Sequence, residues 1–198
     1  MTEIILASTS QIRRKILIDC AVPHRAIAPG VDEAPIKAVM LGQGAPHAAI
    51  AAALAQAKAA AISRLFPEAI VIGADQVLSF EGELFDKAPT IALAAENLNR
   101  LRGRTHQLLG AVSIQIGAVE HRAIASVATL TCRDFSDDFL ADYLHAEGAA
   151  LTQSVGGYRL EGLGAQLFAA IEGDYFGILG LPLLPVLAAL RELGGLPA

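Results

Sequence analysis

At 198 residues the chain has the size of one domain, or of one domain with two lobes, and it can bury a sizeable core without disulfide or metal staples. With 54% hydrophobic and 18% charged residues it is too apolar and too weakly charged to be disordered. A formal charge of −5 without any long basic run disfavours a nonspecific nucleic-acid binder, and an anionic small ligand would need a local cluster of cations.

In chain order, Met1-Thr2-Glu3 leads directly into Ile4-Ile5-Leu6, without the basic and apolar regions of a secretion signal, and Glu3 to Ala7 reads as a buried strand. Ser8-Thr9-Ser10 supplies capping hydroxyls to a helix on which Ile12, Ile16, Leu17 and Cys20 recur at helical spacing. A second extended piece after Pro23 runs into Pro29-Gly30-Val31-Asp32-Glu33, read as a loop with two adjacent carboxylates. From Pro46 the pattern is helical, with Ile50, Leu54, Lys58 and Ile62 four residues apart. The alanine-rich stretch between Lys37 and Lys58 and the leucine-rich one between Asp174 and Arg191 are both interrupted by glycine and proline. Neither reads as a membrane span.

Ala69 to Gly73 reads as a buried strand ending at Ala74-Asp75-Gln76; Val77 to Phe80 continues it to a turn at Glu81-Gly82-Glu83, and Leu84-Phe85 returns as a hairpin. Thr90 caps a helix carrying Leu93, Leu98 and Leu101, closed by Gly103. Leu108 to Ile116 and Ala123 to Cys132 form two β segments around Gly117, and Ser136 caps a helix through Phe139, Leu140 and Tyr143 that stops near Gly148. The last quarter is punctuated by glycines before a final helix to about Leu193. Strands alternating with helices, without repeats or a low-complexity linker, predict an α/β fold with a mixed sheet.

Several segments can carry chemistry. The loop and first turn from Ser8 to Arg14 combine three hydroxyls, the free N–H groups of a helix N-terminus and the guanidinium groups of Arg13 and Arg14, which suits a phosphate. A capped helix with solvated arginines is the structural alternative, and the Walker pattern is absent. Lys58 interrupts an apolar stripe, so its ammonium either meets a carboxylate or phosphate inside or snorkels out along its stem. Asp75 stands at the carboxyl end of a strand, where α/β sheets bind ligands, and can hold a metal or accept a proton from water; the alternative is a turn cap. Lys87 can return a cation to the same strand end, and the Asp32-Glu33 doublet can share Mg²⁺. Two widely spaced cysteines, Cys20 and Cys132, exclude a disulfide framework and suit a reducing cytoplasm, and the five histidines show no zinc spacing.

Together these segments resemble the Maf family of nucleoside triphosphate pyrophosphatases, from Ile4 to about Leu193. The resemblance is carried by Ser8-Thr9-Ser10-Gln11-Ile12-Arg13-Arg14, Val31-Asp32-Glu33, Ala57-Lys58-Ala59, Gly73-Ala74-Asp75, Lys87, and the closing block from Gly173-Asp174-Tyr175 to Gly180-Leu181-Pro182-Leu183. It implies a twisted mixed sheet flanked by helices, with two lobes around a central cleft, in a single domain over 1–194 followed by a short tail at 195–198. It also implies hydrolysis of a nucleoside triphosphate between its α and β phosphates with a divalent cation, Mg²⁺ or Mn²⁺, in a homodimer. Ser8, Ser10, Arg13 and Arg14 then bind phosphate; Asp75, Lys58 and Lys87 are catalytic; and Glu33 with Asp75 positions the metal.

Gln76 and Glu161-Gly162-Leu163-Gly164 resemble the branch acting on 7-methyl-GTP, where the branch acting on dTTP and UTP has threonine and Gln-Gly. Ala88 departs from the family's usual Lys-Pro by separating Lys87 from Pro89. The alternatives are a dTTP/UTP pyrophosphatase and, from a different class, a noncatalytic nucleotide-binding regulator of cell division.

Overall fold

The computed structural model describes residues 2–197 and is built on a seven-stranded sheet. The strands are β1 (Ile4–Ala7), β2 (Arg25–Ile27), β3 (Ile70–Phe80), β4 (Glu83–Phe85), β5 (Thr105–Ile116), β6 (Val119–Cys132) and β7 (Phe168–Glu172). Their order is β2-β1-β3-β5-β6-β7, with β4 paired to β3. β1 runs parallel to both β2 and β3, while the β3–β4 and β6–β7 pairs are antiparallel, so the sheet is mixed as expected.

The helices are α1 (Gln11–Asp19), α2 (Glu33–Gly42), α3 (His47–Ser63), α4 (Ile91–Leu101), α5 (Asp137–Glu147), α6 (Tyr175–Ile178) and α7 (Leu183–Glu192). Two 3-10 turns lie at Gly148–Thr152 and Leu163–Leu167. The chain divides into two compact units. The first comprises the chain up to Gln76, Leu109–Ser126 and the chain from Asp174 onward; the second comprises Val77–Leu108 and Val127–Gly173.

In the first unit, β1 and β3 are buried on both faces, as parallel strands between helical layers must be. Alternation sorts their side chains. Ile4, Leu6, Ile70, Ile72 and Ala74 join Ile16 and Leu17 of α1 and Leu183, Val186 and Leu190 of α7 in one cluster. Ile5, Ala7, Ala69 and Val71 join Ala59 and Ile62 of α3 in the other. The expected stripe on α3 is borne out, with Ile50, Leu54, Lys58 and Ile62 all buried. Leu196, in the expected tail, packs against the first cluster.

Some expectations are corrected. Glu33, read as the end of a loop, is the first residue of α2, a helix that has no fully buried residue. α1 ends at Asp19, leaving Cys20 exposed as its C-cap. On α4 the buried residues are Ala94, Leu98 and Leu101, while Leu93 faces out. β7 was not expected, because a half-exposed Phe168 followed by four exposed residues gives no alternation.

The second unit packs α4 and α5 against each other and against the turn at Gly148–Thr152. Its core contains an unusual polar pair: His106 Nε2 and Tyr158 Oη lie 2.7 Å apart, with Phe168 against the tyrosine ring. His106 is 2% exposed and its Nδ1 finds no hydrogen-bond partner among the described residues. Burial pushes the imidazole pKa down to about 4 from 6.5. The unfolded chain therefore takes up a proton below pH 6.5 that the folded chain refuses until about pH 4, so stability falls as pH drops through that window. We expect this residue to account for about 3 kcal/mol of acid destabilisation. Urea unfolding at pH 7 and pH 4 should show a correspondingly smaller loss in His106→Gln, and equal losses in the two proteins would contradict it.

Candidate active site

The pleat of β3 decides what each residue at the strand's midpoint meets. Gly73 and Asp75 share the parity of Ala69 and Val71 and face α3, while Gln76 shares the parity of Ile72 and Ala74 and faces the opposite layer. The approach of α3 is close at Gly73, where a Cβ would lie 2.3 Å from the Ala55 carbonyl oxygen and 2.6 Å from the Ala59 nitrogen. One turn along α3, Lys58 reaches Asp75.

The Lys58 ammonium does not snorkel. It is 8% exposed, donates to Asp75 Oδ1 at 2.5 Å and pairs with Glu33 Oε1 at 2.7 Å. Asp75 is itself 7% exposed, so the lysine charge is matched inside the protein by one buried and one half-buried carboxylate.

Glu33 arrives there because α2 starts at it. Asp32 is the N-cap, its carboxylate accepting from the Ala34 N–H at 3.2 Å, which turns the two neighbouring carboxylates to different work. Burial would raise the Glu33 carboxyl pKa, but the hydrogen bond and charge of Lys58, with those of Lys37, outweigh it and hold it below its ordinary value. Lys37 Nζ lies 3.6 Å from Glu33 Oε2, one helical turn on; this Glu-to-Lys spacing was visible in the sequence and its place beside the site was not.

Arg13 brings a second cation. Its Nε donates to the Gly180 carbonyl at 2.8 Å and its Nη1 to the Ala74 carbonyl at 2.9 Å. Burial draws the guanidinium pKa down, and the charges of Asp75 and Glu33 counter part of that. Ser8 and Ser10 form the preceding turn, Ser8 Oγ accepting from Ser10 N at 3.1 Å and Ser10 Oγ from Arg13 N at 3.4 Å.

Arg14 is not brought to the carboxylates. Consecutive helical residues point about 100° apart. The exposed Arg14 instead lines a separate depression with Ile18, Val22, His24 and Leu196. Gln76 donates through Nε2 to the carbonyls of Gly177 (2.8 Å) and Ile178 (3.2 Å), and two acceptors there fix which end of the amide is nitrogen. Those carbonyl contacts, and that of Gly180 with Arg13, were not read from the sequence, because backbone acceptors carry no residue signature. Lys87 and Glu161 are exposed residues of the second unit.

The donor set fits a divalent cation of the magnesium type. The carboxylates of Glu33 and Asp75 are drawn together by the Lys58 ammonium that both contact, and an ion that needs only one or two carboxylates, completing its shell from phosphate oxygens and water, suits such a pair. Among the described residues no cluster of three or more His, Cys, Asp or Glu is placed to hold a metal by protein ligands alone.

The chain is similar to several curated proteins over nearly its whole length. A protein of Granulibacter bethesdensis named nucleoside triphosphate pyrophosphatase is 47% identical over 190 residues, covering 96% of each chain. One of Maricaulis maris with the same name is 45% identical over 194 residues, covering 98% of each. A protein of Rhizobium johnstonii named 7-methyl-GTP pyrophosphatase is 44% identical over 197 residues, again covering 98% of each. The family model described as Maf-like protein matches residues 3–193, which contain both partners of every contact drawn above around Asp75, and the chain belongs to that family.

Proposed function

We propose that this protein is a metal-dependent nucleoside triphosphate pyrophosphatase, cleaving the α–β phosphate bond to give a nucleoside monophosphate and pyrophosphate. The observation that carries the reading is Lys58 held between Asp75 and Glu33, with the half-buried Arg13 whose charge those carboxylates also feel, in a chain whose relatives bear pyrophosphatase names. A triphosphate needs cations and N–H donors, and Arg13, Lys58, Lys87 and the Ser8–Ser10 turn supply them in this reading, whereas Arg14, which lines a separate depression, is left out of it. Asp75 has Oδ1 on Lys58, and its Oδ2 orients the attacking water and accepts its proton. The new bond forms from the water oxygen to the α phosphorus, the α–β bridging bond breaks, and its electron pair leaves on pyrophosphate. A divalent ion held by Glu33 and Asp75 would supply additional positive charge to the phosphate oxygens.

The base assignment in this proposal is 7-methylguanine. Glu161 offers a carboxylate to the N1–H and N2–H donors of guanine, and Gln76, whose nitrogen is engaged with carbonyls, offers its oxygen. A relative with the 7-methyl-GTP name favours it over the dTTP/UTP reading. A homodimer and a cytoplasmic setting belong to the same proposal; sedimentation checks the first, and the unpaired Cys20 and Cys132 suit the second.

The test is release of monophosphate and pyrophosphate from 7-methyl-GTP, GTP, dTTP, UTP, CTP and ATP, with and without Mg²⁺ or Mn²⁺. Metal-dependent turnover led by 7-methyl-GTP is expected. A lead by dTTP or UTP would retain the reaction and overturn the base assignment, and nucleotide binding without turnover would point to a regulator.

A further inference from the structure

We infer that Gly180 is a positioning residue for Arg13, and that its backbone carbonyl, rather than any side chain, sets the orientation in which the guanidinium meets the substrate phosphates. The inference rests on the pyrophosphatase reading for what Arg13 binds, but the geometry stands by itself. Arg13 is held at two adjacent atoms by two separate elements: Nη1 by the Ala74 carbonyl on β3, and Nε by the Gly180 carbonyl in the turn between α6 and α7. Two bonds from neighbouring nitrogens fix both the position and the plane of a guanidinium. They leave the Nη2 hydrogens uncommitted among the described residues, so an anion is met through Nη2.

The turn that presents the carbonyl is itself braced. Asp174 caps α6 by accepting from Gly177 N at 2.5 Å, Gly180 N donates to the Gly177 carbonyl at 3.0 Å, and Leu181 N to the Phe176 carbonyl at 3.0 Å. Gln76 ties the same turn to β3 through the Gly177 and Ile178 carbonyls. Only glycine serves at 180. Its φ is +94°, and a Cβ there would lie 3.1 Å from Arg13 Nε and 3.2 Å from Nη2. Any side chain would strain the turn and push the group it orients.

Gly180→Ala is expected to lower kcat/KM about tenfold or more for whichever nucleotide leads the panel, and to weaken inhibition by pyrophosphate by a similar factor. In an Arg13→Lys background, which lacks Nε, adding Gly180→Ala should change kcat/KM by no more than about twofold, because the glycine acts through the arginine. A merely structural glycine would cost the same in both backgrounds, and that result, or full activity of Gly180→Ala alone, would overturn the inference. NMR of the wild-type protein gives a test that needs neither the glycine variant to fold nor turnover. Arg13 Nε–H, assigned by its disappearance in Arg13→Lys, should exchange slowly with solvent, whereas exchange as fast as that of exposed arginines refutes the carbonyl anchor. An inactive wild-type protein with a protected Arg13 Nε–H would sink the pyrophosphatase reading and keep the anchor.

Discussion

Asp75→Asn is expected to reduce nucleoside triphosphate turnover by about a thousandfold, the scale on which a positioned general base contributes. The amide keeps the shape and a hydrogen-bond acceptor for Lys58, so nucleotide binding, followed by calorimetry with a nonhydrolysable triphosphate, should persist. Stability should drop as well. Lys58 is 8% exposed and would be left with Glu33 as its one carboxylate partner at 2.7 Å, at a cost of about 1–3 kcal/mol for a charged bond weakened in the interior. Urea denaturation separates this loss from the catalytic one. Near-normal turnover by the folded variant would remove Asp75 from the reaction, and loss of binding together with turnover would leave it as a substrate ligand.

A second large effect is expected from a change that touches no charged group. Gly73→Ala would place a methyl 2.3 Å from the Ala55 carbonyl oxygen, 2.6 Å from the Ala59 nitrogen and 2.8 Å from the Ala59 Cβ. Two of these three atoms belong to the backbone of α3, so no rotamer relieves the contact and helix and strand must separate. Overpacking of this kind costs about 3 kcal/mol or more, and urea unfolding should show it. The shift also widens the Lys58–Asp75 pair, because Lys58 stands next to Ala59 on the displaced helix. Activity should therefore fall further than the unfolded fraction explains. A variant as stable and as active as the wild type would show that α3 can rise without disturbing the site.

The same contact shows why part of the site was legible in the sequence and part was not. Lys58 stood out because a cation interrupted a four-residue apolar repeat, and Asp75 because it followed an apolar strand; both signals are local. That the two meet depends on Gly73 admitting α3 against β3, and nothing in the sequence around Gly73 distinguishes a glycine of close approach from one in a turn. Glu33 shows the limit differently. Read as one of two carboxylates in a loop, it is the first residue of α2, and helix geometry separates it from the capping Asp32. The half-buried positions of α2 are Glu33, Ile36, Lys37 and Met40, charged and apolar by turns, so no continuous apolar stripe marked the element or the role of its first residue. Arg13 and Arg14 were both assigned to phosphate although α1 carries a readable buried stripe of Ile16 and Leu17, because that stripe does not say which arginine turns toward Ala74 and Gly180.

The sequence by itself determined the alternation of strands and helices, the double-sided burial of β1 and β3, and the residue types available for phosphate chemistry. The buried strands follow from continuous apolar runs and the helices from a repeat of three to four residues, both of which are local. Only the tertiary structure decided that Lys58 lies between Glu33 and Asp75, that Arg13 is anchored on two carbonyls while Arg14 faces elsewhere, and that Gln76 ties down the turn before Gly180. Each of these joins residues 17 to 167 positions apart, or 25 in the Glu33–Lys58 pair. Such pairings are set by which faces of strand and helix pack together, a sum over many weak contacts that no local pattern encodes.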